Sequence, residues 1–208
     1  MLMNRVETVL VNSPPPRRWL QRYEARVLTA LGGRTPGAHV AELGCGSGYG
    51  TRLILDEFGA ARVDAVDLDP AMISRARHRL RRHTGRAHLA RGSATDLRSA
   101  FHDVGGGQNG TYDAVFDFAI IHHIPNWREA LDEVARVLKP GGRFFFDEVT
   151  ATALARPTYQ VLFDHPSEDR FTAGEFLHEL SHHGLDVGER WQTRIGGGDY
   201  LLGVATRQ

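Results

Sequence analysis

Glu42-Leu43-Gly44-Cys45-Gly46-Ser47-Gly48-Tyr49-Gly50 decides the reading of this chain. It follows the short run His39 to Leu43, a strand candidate, and leads into Thr51 to Phe58, which reads as helix. Glycines at such a junction admit positive φ and let a ligand approach the backbone with no Cβ in the way. The helix start beyond them offers N–H groups that have no partner inside the helix. Spacing then separates ligand classes. A dinucleotide fingerprint needs Gly-x-Gly-x-x-Gly, yet the last position falls on Tyr49, Thr51 or Leu53 when counting starts at Gly44, Gly46 or Gly48. A phosphate loop ending in Gly-Lys-Ser/Thr is also absent. What stands here is acid-x-Gly-x-Gly-x-Gly, with Glu42 two residues ahead of Gly44. Asp67 ends the next strand candidate, 19 residues after Gly48, where a carboxylate can take both hydroxyls of a ribose. Together these features point to a nucleoside-type cofactor.

Working outward, Arg17 to Leu31 has the spacing of an amphipathic helix (Trp19, Leu20, Tyr23, Val27, Leu28, Leu31) after the break Pro14-Pro15-Pro16, and Gly32-Gly33 stops it. Strand candidates follow at Arg62 to Asp67, Arg86 to Arg91, Tyr112 to Phe118 and Arg143 to Val149, with two more near Leu185 to Trp191 and Asp199 to Thr206. Asp69-Pro70 opens one helix as N-cap and first helical residue. Asn126/Glu129 and Thr172/Glu175 have capping-box spacing. Val104 to Gly110, with four glycines, reads as a flexible surface loop. Strands alternating with helices of about a dozen residues predict a mostly parallel sheet covered on both faces, with ligands at the carboxyl ends of its strands.

Composition narrows the function classes. The 208 residues carry 25 Lys+Arg against 25 Asp+Glu, so no net charge draws the chain to a polyanion or an acidic membrane. One cysteine excludes a disulfide framework and a multi-cysteine metal site. Met-Leu-Met-Asn-Arg-Val-Glu at the start is not a basic-then-apolar leader, and no apolar run nears 18 residues. The expectation is a single-domain cytoplasmic protein with no membrane association.

The residues from about 38 to 149 resemble the class I S-adenosylmethionine-dependent methyltransferases of the small-molecule type. Glu42 to Gly50 is similar to their first motif, and Val63-Asp64-Ala65-Val66-Asp67-Leu68-Asp69-Pro70 to their second strand with its ribose-binding acid. Tyr112-Asp113-Ala114-Val115-Phe116 is similar to their fourth strand. His122-His123-Ile124-Pro125, with Arg136-Val137-Leu138-Lys139-Pro140-Gly141-Gly142, is similar to the segment after it. The resemblance implies a Rossmann-like doubly wound α/β sheet with an antiparallel C-terminal strand. Residues 1–35 would be a helical lid segment and 36–208 the cofactor-binding domain. It also implies S-adenosylmethionine as cofactor, S-adenosylhomocysteine as product, and a small-molecule substrate rather than a nucleic acid, on a monomer or homodimer.

By that resemblance Gly44, Gly46 and Gly48 pass under the methionine part, Glu42 orients it and Asp67 holds the ribose, with Cys45, Leu68, Ser93, Ala94 and Asp117 completing the cofactor set. One departure stands out. Family members often have Gly-Asp-Ala after the third strand, where this chain has Gly92-Ser93-Ala94. The adenine contact is then left to Ser93, to Asp96 or to backbone near Ala94. His122 and His123 are the candidate catalytic bases, since imidazole titrates near working pH, with Glu148 second and Asp147 beside it. Adjacent histidines usually diverge, so no metal site is expected here. Arg75, Arg77, Arg79, Arg81 and Arg82, with His78 and His83, fit a solvated helix face or a nucleic-acid stripe. Thr150 to Arg170, containing Tyr159, Phe163, Asp164 and His165, would close over the substrate. The rival classes are a nucleic-acid methyltransferase, a nicotinamide oxidoreductase, and a non-catalytic subunit that keeps the fold.

Overall fold

Strands β1 (His39–Leu43), β2 (Arg62–Asp67), β3 (Ala87–Arg91), β4 (Tyr112–Phe118) and β5 (Leu138–Val149) pair in parallel, and β6 (Leu185–Asp186), β7 (Trp191–Arg194) and β8 (Tyr200–Arg207) complete an eight-stranded sheet. The order is β3-β2-β1-β4-β5-β8, and β6 and β7 each pair with β8. β8 runs antiparallel to β5. The computed structural model describes residues 14–157, 169–194 and 199–208, with the side chains of residues 14–21 and 194 outside that description. The helices are α1 (Pro14–Gly32), α2 (Tyr49–Leu53), α3 (Pro70–Arg79), α4 (Leu97–Ala100), α5 (Trp127–Val137), α6 (Ala151–Leu154) and α7 (Ala173–His182).

Apolar runs rather than alternating patterns mark the central strands because both faces of the sheet are covered. Phe144 and Phe146 of β5 enter one core with Trp127, Leu131 and Val134 of α5 and Phe176 of α7. Phe145, between them, enters the other core with Leu28 of α1, Phe58 and Phe116. The Phe145 and Phe116 rings stack there with centroids 4.4 Å apart. Apolar side chains thus fill both faces, and the reactive chemistry is confined to strand ends.

Several boundaries differ from the sequence expectation. Helix α1 begins at Pro14 rather than after the prolines; the first turn of a helix has no use for the missing N–H groups. The expected helix Thr51 to Phe58 begins at Tyr49 and its second half, Ile54–Phe58, is a π-turn. β5 begins at Leu138, and its register to β4 jumps from Tyr112↔Leu138 to Ala114↔Arg143, so Lys139 to Gly142 bulge within the strand. The Leu185 to Trp191 strand splits in two around a turn. The Thr172/Glu175 capping box forms with both hydrogen bonds. Asn126 makes no side-chain cap, its amide instead donating to Glu129 at 3.2 Å.

The glycine-rich loop is packed rather than a free surface loop. Gly106 and Gly107 are buried, and the Gly107 N–H donates to the Tyr112 hydroxyl at 3.0 Å. A Cβ on Gly107 would stand 2.1 Å from the Leu97 carbonyl oxygen, at φ +68°, which only glycine tolerates. The Tyr112 hydroxyl in turn donates to Asp64, 3.0 Å away. Asp64 is fully buried and also accepts from Arg62 Nε at 3.0 Å, with His39 Nε2 at 2.7 Å. Burial alone would raise its pKa, but His39 and Arg62 outweigh that and hold the carboxyl below its ordinary range.

Removing that hub leaves the buried Tyr112 hydroxyl and the part-exposed His39 and Arg62 side chains without their acceptor, a change that costs about 1–3 kcal/mol. Asp64→Ala is therefore expected to lower the melting temperature by roughly 2–12 °C in a chain of this size, measured by calorimetry at pH 7. Because its folded pKa is depressed, Asp64 contributes stability above its unfolded pKa of about 3.9. That contribution is lost as pH falls through the lower folded value, so the deficit of the variant should narrow under acid.

Candidate active site

The carboxyl ends of β1, β2 and β4 bring the glycine turn, Asp67 and the two histidines to one edge of the sheet. Positive φ occurs at Gly44 (59°), Gly46 (52°) and Gly48 (82°). The turn is held by Cys45 N–H to the Val66 carbonyl and Gly48 N–H to the Cys45 carbonyl, both at 2.9 Å. A Cβ on Gly44 would collide with the Ile120 side chain at 2.2 Å, so glycine here lets the segment after β4 cross the turn. A Cβ on Gly46 would meet nothing within 4 Å. That open side is where the backbone can lie under a ligand.

Glu42 is buried beneath the turn and accepts a hydrogen bond from the Thr51 hydroxyl. Asp67 accepts from the N–H groups of Gly46 and Asp69, each at 2.8 Å and each on a different oxygen. Each carboxylate oxygen keeps a further acceptor site. Burial raises the Asp67 pKa against the pull of those two N–H groups. Leu68 beside it is 49 % exposed, one of two large apolar side chains out in solvent among the described residues. Cys45 is buried, and burial, followed by the charges of Glu42 and Asp67, pushes its thiol pKa up, as befits a small residue packed in the turn.

At the end of β3, the Ser93 hydroxyl lies 2.7 Å from that of Thr95 and accepts from the Thr95 N–H at 3.1 Å. Asp96 caps α4 by accepting from the Ser99 N–H. Both polar side chains offered for the adenine are thus engaged in local turns, and Ala94 is buried between them.

His122 and His123 sit on a 3-10 turn, Ile121–His123, right after β4. They do not diverge. Their ring centroids are 4.2 Å apart, because successive residues of a tight turn are not opposed as they are in a strand. Asp147 and Glu148 do diverge, as strand neighbours must. Glu148 is fully buried, with Oε1 accepting from the Ile121 N–H and Oε2 lying 2.7 Å from His122 Nδ1. Burial opposes its ionisation, yet His122 and the surrounding donors win and lower its pKa. Because an ionised carboxylate only accepts, Nδ1 of His122 carries the hydrogen of this contact. Asp117 is also fully buried, behind Glu148. Ala119, between strand and histidines, holds φ +62°, a conformation that costs a non-glycine residue of order 1 kcal/mol and is common at functional sites.

Arg79 is a contributor that sequence reading missed. It donates to the Ser47 carbonyl and its guanidinium lies 3.6 Å over the Tyr49 ring, clamping the glycine turn from α3. In the sequence it is indistinguishable from its helix neighbours. Arg77 is likewise turned inward, to the Leu89 carbonyl at 3.4 Å. Two members of the proposed basic stripe are therefore tied to the fold. Among the described residues no group of three metal-ligating side chains is gathered, and no helix is long and apolar enough to cross a membrane. The side chain of Trp19, and Tyr159, Phe163, Asp164 and His165 of the substrate segment, lie outside the described residues.

Residues 40–142 match the family model described as a methyltransferase domain. A fatty-acid O-methyltransferase of Mycolicibacterium smegmatis is 32 % identical over 170 residues, covering 80 % of this chain and 54 % of that one. A ubiquinone biosynthesis O-methyltransferase of Xylella fastidiosa is 32 % identical over 121 residues, covering 57 % and 45 %. The chain thus spans about half the length of the curated relatives it matches. A geranyl diphosphate methyltransferase solved with S-adenosylmethionine shares the fold, with a TM-score of 0.72 at 16 % identity over 92 % of this chain and 87 % of that one.

Proposed function

As the chain carries a class I S-adenosylmethionine-dependent methyltransferase domain, we propose that it transfers a methyl group to an oxygen, nitrogen or carbon of a small-molecule acceptor. The observation that carries this reading is the juxtaposition of a cofactor-type glycine turn and a histidine–carboxylate pair at neighbouring strand ends. The open side of Gly46 and the spare acceptor sites of Asp67 fit the cofactor. Gly44, Gly46 and Gly48 would lie along its methionine part and Glu42 would orient that end. Asp67 would hold the ribose, and Leu68 would lie against the base, which backbone around Ala94 would read.

When bound, S-adenosylmethionine supplies a methyl group on a sulfonium, an already activated leaving group. The work of the chain is then alignment, and well-oriented reactants reach effective molarities of about 10⁵–10⁸ M. Where the acceptor must lose a proton, His122 Nε2 takes it, while Glu148 holds the ring through Nδ1 and steadies the charge it acquires. Glu148 acts through His122, since it is fully buried. His123 packs against the His122 ring, with centroids 4.2 Å apart.

A small acceptor is supported by the balanced charge of the chain, by the inward-turned arginines of α3, and by the acceptors named for the two curated relatives. Incubation with methyl-labelled S-adenosylmethionine and a panel of carboxylic acids, phenols and amines is expected to place label in one of these classes. Label found only in nucleic acid, with salt-sensitive retardation of RNA on a gel, would contradict the small-molecule reading.

A further inference from the structure

Asp117, which the sequence resemblance places among the cofactor residues, has no part in the proton transfer described above, although it lies beside it. It is fully buried. Its Oδ1 accepts from the Ile120 N–H at 3.0 Å, and among the described residues no donor reaches Oδ2. Asp117 is the register partner of Phe146, so its side chain leaves β4 on the same face as that of Glu148, two residues further along β5. The two carboxyl groups adjoin. One strand residue over, Asp147 adds negative charge from the opposite face.

Counting donors decides which acid of this pair is ionised. Glu148 is met by the N–H of Ile121 at 2.7 Å, that of Val149 at 3.1 Å, that of His122 at 3.4 Å and the His122 imidazole at 2.7 Å. Asp117 is met by one N–H. Two adjoining buried carboxylates cannot both remain charged, and the one with fewer donors keeps its proton. We propose that Asp117 is a proton-bearing positioning residue, whose carboxylic acid donates from Oδ2 to Glu148 and fixes the Glu148–His122 pair. Burial and the neighbouring Glu148 charge act in the same direction, pushing the Asp117 carboxyl well above the usual carboxylate range. The Oδ2 atom without a donor is then explained, because it is itself the donor. The bearing of this arrangement on catalysis rests on the methyl-transfer reading; the protonation does not.

The test is difference infrared spectroscopy of the whole protein at pH 7, with Asp117→Asn and Asp117→Ala. The wild type is expected to show a protonated-carboxyl stretch that both variants lose. Nitrogen-15 spectra of His122 supply the second readout. Asparagine can still donate to Glu148, so Asp117→Asn should keep the midpoint of the His122 transition and of the pH–rate profile, whereas Asp117→Ala, which takes that donor away from Glu148, should displace both. An ionised Asp117 would give no such stretch. In that case Asp117→Asn would remove a charge and displace the pH–rate midpoint by roughly one to three units, as a close charge does. Either result overturns the proposal whether or not the cofactor binds, so its failure is separable from failure of the methyl-transfer reading.

Discussion

His122→Ala is expected to slow methyl transfer to a protic acceptor by about 10²–10⁴-fold, the contribution of a positioned general base, while leaving the affinity for S-adenosylhomocysteine unchanged. The separation follows from geometry. The ring is anchored to Glu148 on the β5 side, whereas the glycine turn and Asp67 lie at the ends of β1 and β2. His123→Ala should cost less, because it is the His122 ring that the buried Glu148 carboxylate meets at 2.7 Å and holds for proton transfer. Single-turnover rates with saturating cofactor, followed across pH, measure both. Full turnover in both variants would remove the base from the mechanism and leave alignment alone.

Asp67→Ala should act on the other half of the site. Two hydroxyl-to-carboxylate hydrogen bonds, each worth about 1.5–3 kcal/mol, are lost with the side chain. At 1.4 kcal/mol per tenfold, that weakens S-adenosylhomocysteine by roughly 10²–10⁴-fold. The same carboxylate ties Gly46 and Asp69 at 2.8 Å, so the variant also loosens the turn. Asp67→Asn, which keeps one acceptor oxygen, is expected to lie between the two. Calorimetric titration gives these affinities directly, and circular dichroism checks that the variants remain folded.

Much of the geometry at this strand edge could be read in advance because its parts are local. Glycine spacing and a strand-end acid are patterns within a few residues, and β2 and β4 run over Arg62–Asp67 and Tyr112–Phe118 as their apolar runs predict. What escaped the sequence depends on long-range packing. Arg79 clamps a turn 32 residues earlier, and Gly107 is required by a carbonyl 10 residues before it. Glu148 and Asp117 share one face only through the β4–β5 register. The convergence of His122 and His123 reflects a 3-10 turn that the motif itself does not announce. The bulge at Lys139 to Gly142 misled for the opposite reason, since a strong local break signal sits inside a strand held by its neighbours.

The central claim is that the glycine turn and Asp67 form a site for S-adenosylmethionine, and one titration tests it most directly. S-adenosylhomocysteine, S-adenosylmethionine and NAD are each titrated calorimetrically into the wild-type protein. Micromolar binding of the two sulfur compounds and none of NAD is predicted. Heat from NAD alone, or from none of the three, would mean that the turn serves another ligand or only the fold, and the methyl-transfer account would be contradicted.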